Sequence, residues 1–283
     1  METIKELLNT GLATAGSLLI VKKIHDTLID EVDKVLIPRS EAAYYFGPAQ
    51  IPGGSIDIDL TDPNTGDIRV VAEGAEVPID QATYASTNIK PVKYGMAIRI
   101  TREMLEDAKW NLLDHNIKVA GKRFAEKETE LVITQLDSAG NTVSGGAAAT
   151  IANITRAMQY LDDNDYTGTT ILMGNEFLND LRNIDTFVEA DKAGNREMLS
   201  TGFVGNIYGL NVLKFSTNAA PSSTYSKYAY VYDKNQAYAL AEKRPITIER
   251  FQLPSCDMSA AAITWRFAAK IIRSNAVAKI TTA

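Results

Sequence analysis

The sequence predicts an α+β fold in which a long helix forms a spine, a long extended hairpin projects from it, and a further region alternates helix with strand. Three observations carry this expectation. Ser55-Ile56-Asp57-Ile58-Asp59-Leu60 alternates strictly between polar and apolar side chains, as a half-exposed strand does. From Gly66 the chain is long, polar and turn-rich before a second strand, from about Tyr84 to Ile100, returns. That strand passes without a linker into a helix whose first turn carries Glu103, Glu106 and Asp107, where the helix dipole favours acids.

In chain order, residues 1–36 read as two amphipathic helices, Ile4 to Leu12 and Leu18 to Val35. In the second, Ile20, Ile24, Leu28, Val32 and Val35 recur at helical spacing and Pro38 ends the run. A single apolar stripe ahead of the compact part needs a surface to lie on, either a neighbour's or its own domain's. Asp62-Pro63-Asn64-Thr65-Gly66 is a turn, with Pro fixing φ and Gly allowing φ > 0. Pro91 interrupts the return strand and demotes that part to an edge. A long exposed edge is normally an aggregation hazard, so its retention implies a partner that uses it.

Thr101 is expected to cap the spine helix, which runs to about Leu136 with a break near Trp110-Asn111. Ile117, Ala120, Phe124, Leu131 and Gln135 share one stripe, and Lys122/Glu126 and Lys127/Glu130 offer surface pairs worth only ~0.3–0.5 kcal/mol each. The Gly/Ala/Ser-rich stretch from Ser138 to Thr150 reads as a loop and a subdomain boundary. A helix over Ile151 to Asp162, a buried strand over Thr169 to Met173 and a helix capped by Asn175 follow. Further strands are expected at Leu210 to Phe215, Tyr228 to Tyr232, Ala237 to Ala241, Ile246 to Phe251 and, as one run, Ala260 to Lys279.

At 283 residues the chain can bury roughly three-quarters of its unfolded surface. A net charge of −6 argues against a dedicated nucleic-acid binder, whose phosphate contacts need a basic face. The single Cys256 excludes an internal disulfide, and His25 and His115 are too few for a zinc cluster. The apolar run Gly11 to Val21 follows Glu2 and Glu6 rather than basic residues and falls short of the ~20 residues a bilayer requires, so no signal peptide, no transmembrane segment, no membrane partner and a cytoplasmic compartment are expected. The Asn153-Ile154-Thr155 sequon then has no meaning.

Motifs for chemistry are weak. No Walker loop, dinucleotide fingerprint, nucleophile elbow or His-Glu-x-x-His is present, and Gly202-Phe203-Val204-Gly205-Asn206 reads as a turn. Cys256 lacks a nearby histidine, and Asp162-Asp163-Asn164-Asp165 lacks the loop spacing of a calcium site. The chain is therefore expected to be no enzyme and to hold no cofactor or metal. The residues that stand out are Arg69, Glu73, Glu76 and Asp80 on the projecting segment. They are either a solvated loop or an intersubunit contact, with Lys243, Arg244 and Arg250 of a neighbour as candidate partners.

These residues carry a resemblance. Val71-Ala72-Glu73-Gly74, then Val92-Lys93-Tyr94-Gly95 leading into Ile100-Thr101-Arg102-Glu103-Met104-Leu105-Glu106-Asp107, resemble the major capsid proteins of tailed double-stranded-DNA bacteriophages, the Hong Kong 97-like fold. Thr170-Ile171-Leu172-Met173 with Asn175, Asn206-Ile207-Tyr208-Gly209-Leu210-Asn211-Val212-Leu213, and Trp265-Arg266-Phe267 to Val277-Ala278-Lys279 are similar to later segments of that family, in the same order. The resemblance implies an N-terminal arm (1–48), an extended E-loop (49–95), a peripheral domain with the spine helix (96–136 and 243–273) and an axial domain (137–242 and 274–283). It further implies a structural subunit forming pentamers and hexamers of an icosahedral virion capsid. The shell would enclose double-stranded DNA without sequence-specific binding and be assembled in the host cytoplasm, with scaffold, portal and decoration proteins as further partners. The chain starts at the arm, so a separate scaffold or none is expected. Thr87 and Asp257 stand where some members carry the lysine and asparagine of an isopeptide bond, so that cross-link is not expected. The alternatives are a cellular nanocompartment shell of the encapsulin type and an α+β enzyme using Cys256 with a histidine.

Overall fold

The computed structural model describes residues 39–61, 68–77, 84–101, 103, 112–146, 148–184, 206–253 and 258–282. The expected helices within 1–36, the 62–66 turn, the break at Trp110-Asn111, residues 202–205, Asp257, His25 and Cys256 lie outside them.

In chain order the first strands are β1 (Tyr44–Phe46), β2 (Ile56–Thr61), β3 (Tyr84–Ile89) and β4 (Val92–Thr101). The spine helix α1 (Leu112–Asp137) follows, then β5 (Thr142–Ser144), α2 (Ile151–Asp162), β6 (Thr170–Met173) and α3 (Asn175–Arg182). The last strands are β7 (Asn206–Ile207), β8 (Leu210–Lys214), β9 (Tyr228–Tyr232), β10 (Tyr238–Leu253), β11 (Met258–Ile271) and β12 (Val277–Thr281). They form a four-stranded sheet β1-β10-β11-β4, a six-stranded sheet β5-β12-β9-β6-β8-β7, and the two-stranded ribbon β2-β3.

Strand periodicity explains the layering. In β6 and β9 apolar residues are continuous, because both faces of the six-stranded sheet are covered. Leu172, Tyr230, Tyr232 and Val277 face a core shared with α1 and the four-stranded sheet. Their alternating neighbours Ile171, Met173, Ala229, Val231 and Ala278 face a second core closed by Ile154, Ala157 and Leu161 of α2 and Phe177, Leu178 and Leu181 of α3. β10 behaves likewise: Tyr238 and Leu240 enter the shared core, whereas Ala239 and Ala241 pack against Ile51, Ile58 and Ile89 at the hairpin root. In the shared core Trp265 stacks on Phe267, centroids 4.5 Å apart, and meets Phe124 of α1 edge-on at 6.3 Å.

Several expectations change in detail. Ala120, Ala125, Glu128, Thr129, Val132, Ile133 and Leu136 of α1 are all buried, so the helix buries a wider arc than the single stripe expected. Small and polar residues fill that arc because sheets and loops press on it from more than one side, which apolar periodicity alone does not reveal. Lys127 and Glu130 pair at 2.6 Å, but Glu126 is buried and takes Arg123 at 3.1 Å more closely than Lys122 at 3.9 Å. Thr101 is the last residue of β4, paired with Met258, and Glu103 is already helical. The stretch read as a loop after Ser138 contributes β5, which pairs parallel to β12. The cap of α3 is Gly174, with Asn175 the first helical residue. A Cβ at Gly174 would stand 2.2 Å from the Ser226 carbonyl oxygen, so only glycine fits.

The two strands expected at 237–241 and 246–251 are one, β10, with register shifts at Glu242/Arg244 and Arg244/Thr247. Pro245 sits inside that irregularity, where its missing N–H costs no ladder bond. The single run expected over 260–279 is two strands in different sheets, divided by the 3₁₀ turn Ser274–Ala276. Period-2 alternation persists on both sides of the turn, so the change of sheet leaves little trace in the pattern. β7 and β8 join through Tyr208 (φ 50°) and Gly209 (φ 84°), a two-residue turn of the left-handed kind that hairpins prefer.

Candidate functional site

The β2-β3 ribbon packs on the rest of the chain at its base. β2 and β3 pair from Ile56↔Ile89 to Thr61↔Tyr84, which puts Ile56, Ile58, Leu60 and Ile89 on one face and Asp57, Asp59, Ser86 and Asn88 on the other. The first face closes the third core; on the second, Asn88 Nδ2 donates to Asp57 Oδ1 at 2.5 Å. Two cations pin the legs: Lys243 Nζ donates to the Ile51 carbonyl, and Arg266 Nη2 to the Pro91 carbonyl at 3.3 Å.

Beyond the root the chain changes character. Residues 68–77 belong to no helix or strand and include a turn closed by Ala75 N–H to the Ala72 carbonyl at 3.0 Å. Ile68 and Val70 are as exposed as in an extended chain, and Val77 is 68% exposed. Arg69, Glu73 and Glu76 are exposed among them. Among the described residues this is the longest run that mixes exposed apolar and charged side chains, the makings of an interaction surface.

Of the expected partners, Lys243 is half-buried and serves the hairpin root of its own chain, whereas Arg244 is exposed. Asp80 and the Arg250 side chain lie outside what the structure describes. Thr87 lies on β3 opposite Ile58.

Two polar nodes tie α1 to the two larger sheets, and the sequence reading missed both. Arg39 binds the buried Glu128 of α1 with Nε and Nη2, each at 3.1 Å, and reaches Glu242 of β10 with Nη1 at 3.2 Å. Glu242, also buried, accepts from the Tyr45 hydroxyl and from Trp265 Nε1 at 2.8 Å. Burial opposes the Arg39 charge, but the Glu128 hydrogen bond and the two carboxylates outweigh it and raise its pKa above the ordinary guanidinium value. Burial, then the hydrogen bond to Glu242, push the Tyr45 hydroxyl up to about 12. This node ties the residues entering β1 to the spine and the four-stranded sheet.

The second node lies where α1 ends. Asp137 accepts from Tyr225 and Tyr230 hydroxyls, both at 3.1 Å, and pairs with Lys279 at 2.5 Å. Lys279 also lies 4.5 Å over the Tyr228 ring. Burial and the Asp137 charge raise the pKa of Tyr230 and Tyr225. The spine is thereby fastened to β9 and β12 of the six-stranded sheet. Partners 93 residues apart in sequence leave no local signal.

Among the described residues no group of three or more His, Cys, Asp and Glu is arranged to hold a metal ion, and no helix is long and apolar enough to cross a membrane. His115 lies exposed on α1. The polar turn at 163–165 is closed by Asn164 Nδ2 donating to the Tyr160 carbonyl at 2.8 Å.

A model of the phage capsid protein family matches residues 83–280. No protein of curated function matches the chain. Among solved structures, the mature capsid of bacteriophage PhiM1 is similar with a TM-score of 0.68 at 12% identity, covering 88% of this chain and 87% of that one. A structure from Mycobacterium phage Che8 is similar with a TM-score of 0.66 at 14% identity, covering 81% and 84%. The capsid of cyanophage P-SCSP1u reaches 0.63 at 12% identity, covering 86% and 87%.

Proposed function

The chain belongs to the phage capsid protein family and is a structural capsid subunit with the Hong Kong 97-like fold; from that premise we propose that its copies assemble through the projecting hairpin into the closed shell of a virion. The observation that carries this reading is the segment 68–77, which leaves Ile68, Val70 and Val77 uncovered beside Glu73 and Glu76. Three apolar side chains left in solvent forgo roughly 25 cal/mol per Å² of apolar surface unless a neighbour covers them.

In this reading residues 1–48 are an arm reaching across capsomers, 49–95 the E-loop, 96–136 with 243–273 the peripheral domain and 137–242 with 274–283 the axial domain. The acids of the loop meet cations of a neighbour, among which Arg244 is exposed. Pentamers and hexamers assemble in the host cytoplasm, with or without a scaffold, and the shell encloses double-stranded DNA held without sequence-specific contacts. Portal and decoration proteins complete the partners. The work is containment rather than turnover, so Cys256→Ser leaves assembly intact. The family match is to phage capsids, and the cellular nanocompartment reading is not favoured.

Deleting residues 62–80 tests the proposal. Soluble, cooperatively melting protein that forms no closed shells by electron microscopy is the expected result. Normal particles from that variant would refute the gripping role.

A further inference from the structure

The four-stranded sheet carries a row of three cations on the face turned away from α1. Register pairing puts Lys93 of β4 opposite Arg266 of β11, and Arg266 opposite Arg244 of β10. Directly paired residues share a face, and Trp265 and Phe267, which flank Arg266, enter the shared core on the other. Adjacent strands lie about 4.8 Å apart, so three positive charges fall within about 10 Å. Like charges directly opposite each other destabilise a sheet. Among the paired residues of this face the one acid is Glu249, beside Ala262 and two rows away.

The surroundings suit an anion. Lys93 and Arg244 are exposed and Arg266 is half-buried. Arg266 Nη2 donates to the Pro91 carbonyl at 3.3 Å, which orients the guanidinium and leaves other N–H groups of its five. Among the described residues none of the three cations pairs with a carboxylate. In the next row Thr264 and Thr247 stand together, their hydroxyl oxygens 2.9 Å apart, with Gly95 on the β4 side. A Cβ at Gly95 would lie 3.5 Å from the Thr264 methyl, so the glycine keeps the space beside Thr264 open. We infer that this row is a binding site for a multiply charged oxyanion of the phosphate class, held by Lys93, Arg266 and Arg244 with the threonine hydroxyls beside it. Guanidinium groups match the oxygens of such an anion two at a time, and an ammonium adds a point charge. The ligand offsets the repulsion within the row and holds Arg266 against Pro91, at the junction of β3 and β4. The inference goes beyond the assembly reading, in which Arg244 serves only as a cation for a neighbour's acids.

Thermal melting of the full chain, titrated with sodium tripolyphosphate at fixed ionic strength in chloride, tests it. A saturating rise in melting temperature of about 3 °C or more is expected. Lys93→Gln and Arg244→Gln should each abolish most of that rise. By relieving the row, each should also melt higher than the parent in chloride alone. Lys214, an exposed cation on β8, is the control, and Lys214→Gln keeps the full response. A rise that grows linearly with concentration and is equal in every variant is the general effect of an excluded anion and overturns the site. Lower melting of both row variants in chloride shows cations already paired without a ligand and overturns it as well. A response to a short DNA duplex but none to tripolyphosphate assigns the row to a nucleic-acid backbone. A response that appears only in Glu73→Gln with Glu76→Gln assigns it to a neighbour's carboxylates. Both of these outcomes overturn the inference and leave the gripping role standing; only normal shells from the 62–80 deletion remove that role.

Discussion

The six-stranded sheet and the segment 68–77 treat apolar side chains in opposite ways. Ile171, Leu172 and Met173 have no exposed surface, because α2 and α3 cover one face of their sheet and the shared core covers the other. Ile68 and Val70, of the same chemistry, have nothing over them. Folding free energy resides in the first region, while the second can repay its exposure only when another molecule arrives. The chain thus separates the residues that make it fold from those that make it assemble, and the two properties should be breakable one at a time.

The largest effect on folding is expected at Trp265, which fills the shared core and donates to Glu242. Trp265→Ala should cost about 3–5 kcal/mol in chemical denaturation and reduce assembly only through loss of folded protein. Arg39→Ala comes next. It leaves Glu128 and Glu242 buried without their cation, and should cost about 3 kcal/mol, whereas Arg39→Lys loses the bidentate geometry and recovers only part of that.

Alkaline pH probes the same interior with a smaller, distributed effect. Tyr45, at about 12, and Tyr225, Tyr230, Tyr232 and Tyr238, all raised by burial, keep their protons in the folded state beyond the ordinary tyrosine value. The unfolded chain releases those protons near pH ~10, so stability is fully present below that value and falls as pH rises from about 10 to 12. Phenolate absorbance should show a fraction of tyrosines ionising only together with loss of the folded circular-dichroism signal. The smallest effect on folding is expected in the loop: Ile68→Ser with Val70→Ser should shift stability by less than about 0.5 kcal/mol. The same variant should fail to form shells. A large loss of stability there would show that the loop is packed within its own chain and would dissolve the contrast.

Much of the architecture was legible from local pattern. α2 begins and ends where its periodicity places it, β9 likewise, and Pro91 divides β3 from β4 as a proline in a strand should. The charged and apolar loop was legible as well, since nothing around Glu73 and Glu76 resembles a core segment. How β4 meets α1 was not, because Met96, Phe124 and Lys127 belong to a strand and a helix whose contact no local window contains. Lys243 was read as a cation for a neighbour and proves to hold Ile51 at the hairpin root, a use that only the folded chain can show.

By itself the sequence determined the type of most elements and their order, though not β5, the continuity of β10 or the division after Ile271, since periods of 2 and 3.6 and the conformational limits of proline and glycine act over a few residues. The tertiary structure alone decided which of them share a sheet, where the run after Ala260 changes sheets, and that Arg39 meets Glu128 and Glu242 across 89 and 203 residues. The reason is physical: an ion pair between distant residues gains its strength from burial, and burial exists only once the surrounding layers have packed.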